Sequence, residues 1–414
     1  MTVVEFYDRD SAENIAGALV CEPDRIVFVG CSEKQMQKSA AIYRSITWDR
    51  DLDIEFVIKK TVKNNLTKIC DTLIEIVEEY EDCIFDLGGG EDLFLVAAGI
   101  VQNMYPDRVK FQSFNISSST VTDCFSGDSY DVSHMVKLGV EENVCLYGGK
   151  ILYESDNSEG SFNWEIDDEF GDDIFVMWSI CKEDPHQWNK HTHALGIIDS
   201  LFRAEGTLDI TIYPEKAKQL LAEHGESYVS VRDIMSELSK FGLIKHLCYE
   251  KNSYSFTYKN EQVRKCLTKA GQILELYVTM KALDLCDSDA EPFFNDVMTG
   301  VCLDWDGRDA EADEVNIKNE IDVVLMKDMI PIFISCKNGT FNIDELYKLS
   351  SVANKFGGRH AKKVLVATDL ERMGEQAKYI RARARDMKIR IIENTHKLSS
   401  SEFDKALKSL YAGL

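Results

Sequence analysis

Two carboxylates and a lysine lie at the ends of neighbouring predicted strands in the last third of the chain. Glu320 and Asp322 open a strand over 320–327, and Lys337 closes the strand that follows. Side chains at positions i and i+2 of a strand point to one face, so the two acids are expected to lie together. The tight turn at 327–330 favours an antiparallel hairpin. That hairpin would place Asp322 beside Lys337.

This grouping suits the cleavage of a phosphodiester. The reaction needs a hard divalent cation held by oxygen ligands, which polarises the phosphate and lowers the pKa of a bound water. A nearby lysine can orient that water or stabilise the charge that develops on the phosphorane. Glu275, on the helix predicted before the hairpin, can supply a further carboxylate. These residues together predict a metal-dependent nuclease.

The elements that position this group follow the order α-β-β-β-α-β-α-β. Apolar periodicity and turn residues place them as follows: helix 268–284, strands 297–305, 320–327 and 330–336, helix 343–356, strand 363–368, helix 373–387 and strand 389–393. We expect a mixed α/β domain.

With this order, residues 265–414 resemble the PD-(D/E)xK restriction-endonuclease-like superfamily. The resemblance implies an αβββαβ nuclease fold. It also implies that Asp322 binds metal, that Glu275 binds or supports metal, and that Lys337 is catalytic.

The sequence departs from this family at one position. The family's second acid, two residues before the lysine, is replaced here by Ser335. Metal coordination would then depend on Glu275, Asp322, Glu320 and the carbonyl of Cys336.

The first 120 residues alternate strand and helix. Five strands are predicted, with a helix after each of the first four: 2–7, 25–30, 53–58, 82–87 and 108–114. This alternation predicts a parallel, doubly wound (Rossmann-like) sheet. In such sheets ligands bind at the carboxyl ends of the strands, where the strand order reverses. With the order 3-2-1-4-5, the reversal lies between the first and fourth strands.

Unusual loops follow those two strands and open helices. The candidate ligand-binding residues are Asp10, Ser11 and Asn14 after the first strand, and Gly88, Gly89, Gly90, Glu91 and Asp92 after the fourth. Helix N-termini suit phosphate binding, and glycine permits close backbone approach. The glycine run does not match a G-x-G-x-x-G motif, which counts against an ordinary NAD domain. A simple turn is the alternative for these glycines.

This front part is similar to the CARF domain, the sensor of cyclic oligoadenylates in type III CRISPR systems. A CARF front joined to a PD-(D/E)xK back is the arrangement of the CRISPR ancillary nucleases activated by cyclic tetra-adenylate. The resemblance implies allosteric activation and a homodimer with one cyclic ligand across its two-fold axis. It also implies cleavage of single-stranded DNA or RNA with Mn²⁺ or Mg²⁺.

We therefore expect three regions: a CARF-like sensor over 1–150, a linker region over 151–265, and a nuclease domain over 266–414. Within the linker region, 215–258 is predicted to form two helices and a two-stranded wing, as in a winged helix. A helical linker that packs the end domains is the alternative.

Charge is distributed unevenly along the 414 residues. The net charge is −24, yet residues 346–414 hold 15 Lys and Arg against 7 Asp and Glu. A basic segment on an acidic protein can bind phosphates locally. The 12 scattered cysteines, the lack of a signal-like start and the lack of a long apolar run predict a cytoplasmic protein without a membrane partner.

Two other functions are compatible with this pattern. A CARF-type transcription regulator would need a basic recognition helix, but residues 230–241 carry two basic and two acidic side chains. A restriction-type endonuclease that needs no ligand is the second alternative.

Overall fold

The computed structural model describes residues 1–8, 10–153, 166–204, 206–226, 230–305 and 318–411. Among these residues, no helix combines the length and apolar character needed to cross a membrane. The architecture consists of two large sheets with flanking helices and a small antiparallel sheet between them in sequence.

The front part contains a seven-stranded sheet with the order β3-β2-β1-β4-β5-β6-β7. The front part and the segment that follows it contain β1 Thr2–Phe6, α1 Ser11–Cys21, β2 Arg25–Gly30, α2 Glu33–Trp48, β3 Glu55–Lys60, α3 Leu66–Glu79, β4 Cys83–Asp86, α4 Asp92–Met104, β5 Val109–Asn115, β6 Thr120–Asp123, β7 Ser129–Asp131, α5 Val140–Leu146 and β8 Lys150–Leu152.

Strands β1 to β5 of this sheet are parallel, which confirms the predicted doubly wound sheet and its order. β6 and β7 extend it as an antiparallel ribbon that the sequence did not indicate. The helix after the third strand begins at Leu66, because the side chain of Asn65 accepts a hydrogen bond from the Lys68 amide and caps the first turn.

The middle region begins with two helices and continues with a helix-helix-hairpin unit. Its elements are α6 Asp168–Cys181, α7 Pro185–Phe202, β9 Asp209–Ile212, α8 Pro214–Glu223, α9 Arg232–Lys240, β10 Ile244–Tyr249, β11 Tyr254–Tyr258 and α10 Glu261–Thr268. The predicted wing corresponds to β10 and β11, and β9 adds a third strand beside β11.

The C-terminal part contains a six-stranded sheet with the order β16-β15-β14-β13-β12-β8. Its elements are α11 Gln272–Leu283, β12 Asp296–Asp304, β13 Lys318–Lys327, β14 Ile330–Lys337, α12 Asp344–Phe356, β15 Lys362–Ala367, α13 Glu375–Asp386, β16 Ile389–Ile392 and α14 Ser400–Lys408, with short 3-10 turns at Leu370–Met373 and Thr395–Lys397.

This C-terminal order matches the predicted α-β-β-β-α-β-α-β, and α14 follows it. Edge strand β8 comes from residues 150–152 and pairs with β12, so the chain enters this sheet where the front domain was predicted to end. A buried apolar cluster that includes Ile15, Leu146 and Phe356 joins the front helices to the C-terminal sheet. The front and C-terminal parts are therefore packed against each other.

Candidate active site

The hairpin of β13 and β14 brings Asp322 and Lys337 together. The strands pair in register from Val323 with Ile334 down to a two-residue turn, in which Asp328 adopts a φ of 53°. Lys337 Nζ then lies 3.9 Å from Asp322 Oδ2. Both side chains are largely buried, with exposed fractions of 22% and 18%.

The carboxylate of Asp322 is fixed by the end of the neighbouring strand. Its Oδ2 accepts a hydrogen bond of 2.5 Å from the Cys336 amide and one of 3.2 Å from the Ser335 hydroxyl. Burial raises the pKa of Asp322, and the positive charge of Lys337 together with these two hydrogen bonds opposes that rise. Ser335, which stands where the resembled family has an acid, thus orients the aspartate.

Glu275 faces Asp322 from the first turn of α11. Its Oε2 accepts a hydrogen bond of 3.0 Å from the Gln272 side chain. Burial raises the pKa of Glu275 to about 8, and the negative charge of Asp322 adds to the rise. Two carboxyl groups that disfavour each other's ionisation in a buried site are a suitable pair of oxygen ligands for a cation.

Glu320 lies at the rim of this site. Its side chain is 55% exposed and sits 3.8 Å from Lys269 Nζ. It is close enough to raise the pKa of Glu275. Within the described residues, no group of three His, Cys, Asp or Glu side chains is arranged to hold a metal ion. The side-chain ligands that converge are Glu275 and Asp322.

Glu345 lies in this site and was not predicted from the sequence. Its Oε2 lies 2.8 Å from Lys337 Nζ, and its Oε1 lies 2.7 Å from Lys348 Nζ. These two lysines lower its pKa against the opposing effect of burial. The available signal was an acid in the first turn of the helix that directly follows the lysine strand.

Asn338, the residue after Lys337, is held by the middle region. Its side-chain amide donates a hydrogen bond of 2.9 Å to Asn189 Oδ1 on α7, and the Asn189 amide donates back to the Asn338 carbonyl. Asn338 is 9% exposed. No local pattern indicates this contact, because the two residues are 149 positions apart.

A cleft of about 660 Å³ opens beside the segment that follows Lys337. Its walls include Phe341, Met373 and Tyr379, and the Tyr379 side chain is 70% exposed. The cleft therefore offers exposed aromatic surface close to the lysine strand.

Several basic side chains of α13 are engaged within the protein. Arg381 forms an ion pair of 2.6 Å with Glu393, and Lys378 forms one of 2.8 Å with Glu375. Arg383 lies over the ring of Tyr347. This helix is therefore not a row of unengaged positive charges.

In the front part, Asp10 and Asn14 shape the loop after β1. Asp10 caps α1, accepts a hydrogen bond of 2.5 Å from the Tyr147 hydroxyl and accepts another from the Arg359 amide. The buried Asn14 amide bridges the backbone of Asp8 and Asp10. The side chain of Ser11 lies outside the described part of the structure.

The loop after β4 approaches the same place. The Gly88 amide donates a hydrogen bond of 2.7 Å to Asp86 Oδ1. Gly90 has a φ of 94°, and a Cβ there would lie 2.6 Å from Phe6, so glycine is required. A Cβ at Gly89 would lie 2.8 Å from the Phe6 carbonyl oxygen, and Asp92 begins α4.

Glu91 ends this loop and forms an ion pair of 2.6 Å with Lys63. Both front loops line one cavity of about 790 Å³ at the carboxyl ends of β1 and β4. The strand order therefore brings the two predicted loops together.

The comparisons with known proteins agree with this architecture. Residues 260–403 match the family model described as Card1-like, endonuclease domain, which confirms the predicted nuclease resemblance of the C-terminal part. No curated protein sequence matches the chain.

Two solved structures share the fold over nearly the whole chain. The protein VC1899 from Vibrio cholerae is 16% identical, with a TM-score of 0.74 over 99% of this chain and 98% of that one. Can2 from Sulfobacillus thermosulfidooxidans, in complex with cyclic tetra-adenylate, is 17% identical, with a TM-score of 0.65 over 99% of this chain and 97% of that one. These likenesses confirm the predicted fold class.

Proposed function

We propose that this chain is a metal-dependent nuclease of type III CRISPR antiviral defence, activated allosterically by cyclic tetra-adenylate. The observation that carries the proposal is the convergence of Asp322, Glu275 and Lys337 within the residues that match the Card1-like endonuclease domain. The likeness to Can2 bound to cyclic tetra-adenylate supports the ligand. We further propose a cytoplasmic homodimer with the domain limits 1–150, 151–265 and 266–414.

Mn²⁺ or Mg²⁺ would be held by Glu275, Asp322 and the Cys336 carbonyl. The Cys336 amide points at Asp322, and the N–H and C=O of one strand residue face the same edge. The carbonyl is therefore on the side of the two carboxylates. Glu320, on the rim, would contribute charge or an outer ligand. When bound, the cation polarises the scissile phosphate and lowers the pKa of a water.

Lys337 would act as a cation that stabilises the charge developing on the phosphate. Burial opposes its positive charge, but Asp322 and Glu345 outweigh that effect and raise its pKa. The two carboxylates therefore favour the ammonium form of Lys337. Glu345 holds the ammonium group in place through an ion pair of 2.8 Å.

A single-stranded substrate, DNA or RNA, fits the cleft beside this site. Unpaired bases stack on aromatic side chains, and Phe341 and Tyr379 offer such rings close to the lysine strand. The alternative of transcription regulation is less well supported. Helix α9 of the winged-helix unit balances Arg232 and Lys240 against Asp233 and Glu237.

Cleavage of labelled single-stranded DNA and RNA with Mn²⁺, with and without cyclic tetra-adenylate, tests the proposal. We expect cutting that needs the ligand and falls about 100-fold or more in Lys337→Ala, because a cation aimed at the transition state is lost. Lys405→Ala removes an exposed lysine on α14 and serves as the matched control.

Each contrary outcome removes a different part of the proposal. Cutting without ligand would keep the nuclease and discard the sensor, leaving a ligand-independent endonuclease. Full activity in Lys337→Ala would discard this active site.

A further inference from the structure

The cavity at the front loops has a second wall that comes from the C-terminal part. The segment between α12 and β15 packs against the loop after β1, and residues of both parts line the space. Its charged lining comes from Asp8, Asp10, Lys63 and Glu91 of the front part and from Lys355 and Arg359 of the C-terminal part.

The charges of the two walls are opposite. The front wall carries three carboxylates, from Asp8, Asp10 and Glu91, and one lysine, Lys63. Its formal charge is −2, which repels an anionic ligand. Lys355 and Arg359 of the other wall bring the lining to zero. An anion with several phosphates is therefore favoured on the side of the cavity where the C-terminal cations lie.

Arg359 is the cation best placed to meet such a ligand. Its guanidinium donates a hydrogen bond of 2.9 Å to Asp8 Oδ1 and lies 3.6 Å from Asp10 Oδ2. The side chain remains 54% exposed. Its Nε also lies 3.9 Å from Glu13 Oε1, so the contacts with these carboxylates use Nε and Nη2. A guanidinium carries five N–H donors, which leaves the Nη1 donors for a second partner in the cavity.

The backbone beside Arg359 fixes this approach. The Arg359 amide donates to Asp10 Oδ2 at 3.0 Å. Gly358 has a φ of 55°, and a Cβ at that position would collide with Asp10 and with the Tyr147 hydroxyl. Only glycine lets the segment come this close, so the position of Arg359 is tied to the front loop.

We propose that Arg359 binds a phosphate of the cyclic oligoadenylate, so that one ligand contacts the sensor and the nuclease parts together. The proposal rests on the sensor function proposed above. The phosphate replaces Asp8 as the guanidinium's partner. The ligand therefore binds more tightly to the domain arrangement in which Arg359 faces the cavity. Activation needs such a difference in ligand affinity between two arrangements.

Calorimetric titration of the full chain with cyclic tetra-adenylate tests this contact. We expect Arg359→Ala to weaken binding about tenfold or more, since a charged hydrogen bond is lost. Lys405→Ala, the matched removal of an exposed charge, should stay within about twofold. The loss should shrink in high salt, where the attraction is screened.

Asp8→Asn separates ligand contact from a purely structural role of Arg359. In the wild type the backbone amide of Asp10 donates a hydrogen bond to Asp8 Oδ1. The asparagine keeps an oxygen that can accept this bond, but the substitution removes a negative charge from the cavity. We expect cyclic tetra-adenylate to bind Asp8→Asn as tightly as wild type or more tightly. Equal weakening in Asp8→Asn and Arg359→Ala would mean that the ion pair only holds the loop, which overturns the proposal.

Ligand binding by the wild type separates a failure of the sensor function from a failure of the Arg359 contact. If wild type binds cyclic tetra-adenylate and Arg359→Ala binds it equally well, the sensor function stands and this contact is wrong. If wild type does not bind the ligand at all, the sensor function is wrong and the contact falls with it.

Discussion

Asn189 and Asn338 join their side-chain amides across the border between the middle region and the nuclease sheet. Asn338 donates to Asn189 at 2.9 Å, and Asn189 donates back to the backbone carbonyl of Asn338. The next residue, Gly339, has a φ of 117°, and a Cβ there would lie 3.3 Å from the Asn189 amide. Helix α7 thus fixes the backbone immediately after Lys337.

Asn189→Ala should lower kcat of cleavage about tenfold and leave KM nearly unchanged. The variant removes no group that touches substrate, but Lys337 loses part of its fixed position, and small displacements of a catalytic group are costly. Steady-state cleavage with Mn²⁺ and activator measures the split between kcat and KM. The exposed neighbour Lys190→Ala is the control, and unchanged kcat in Asn189→Ala would show that α7 does not position the lysine.

Local patterns were sufficient to predict the two strands of the β13–β14 hairpin and their pairing. Asp322 and Lys337 are separated by two strands and a two-residue turn, so register alone brings them together. The parallel front sheet also followed from alternating strands and helices, because parallel strands need crossover connections. Its order 3-2-1-4-5 is the usual one for a doubly wound sheet.

Contacts between distant segments could not be predicted in this way. Arg359 and Asp8 are 351 positions apart, and the Asn189–Asn338 pair joins separate regions. Such contacts depend on how completed parts pack on each other, which periodicity does not encode. The contacts of Asp10 and Asn14 are of the same kind: both side chains shape the loop after β1, and Asp10 also meets the C-terminal part. Their assignment to a ligand stays a prediction.

Metal binding should depend on pH through Glu275. Burial and the charge of Asp322 raise the pKa of Glu275 to about 8, so an entering cation must displace a proton from it at neutral pH. We expect the affinity for Mn²⁺ to increase as pH rises from about 6.5 to 8.5. Calorimetric titration of the metal-free chain at several pH values measures this dependence.

Glu275→Gln should weaken Mn²⁺ binding at pH 8.5 about tenfold or more and flatten the pH dependence. Glu320→Gln removes an equal charge from the exposed rim and should keep most of the slope. If Glu275→Gln retains the wild-type pH dependence, another group controls metal binding.

A second buried acid should make folding stability depend on pH. Glu5 on β1 stands opposite Asp86 on β4, and the two side chains are 3% exposed. Burial raises the pKa of Glu5 well above its usual value, and the charges of Asp86 and Glu13 add to the rise. The folded chain therefore holds a proton that the unfolded chain releases at the ordinary pKa.

A carboxyl group whose pKa is raised in the folded state stabilises the folded protein at low pH. That contribution is lost as the pH increases through the pKa of the folded state. We expect the melting temperature of the wild type to fall between about pH 5 and 8.5, and Glu5→Gln to remove about 3–5 °C of that fall. Thermal unfolding of the full chain over this range measures it. Glu75→Gln, on the exposed side of α3, should leave the slope unchanged. Parallel curves for Glu5→Gln and wild type would show that Glu5 is ionised in the folded protein at neutral pH.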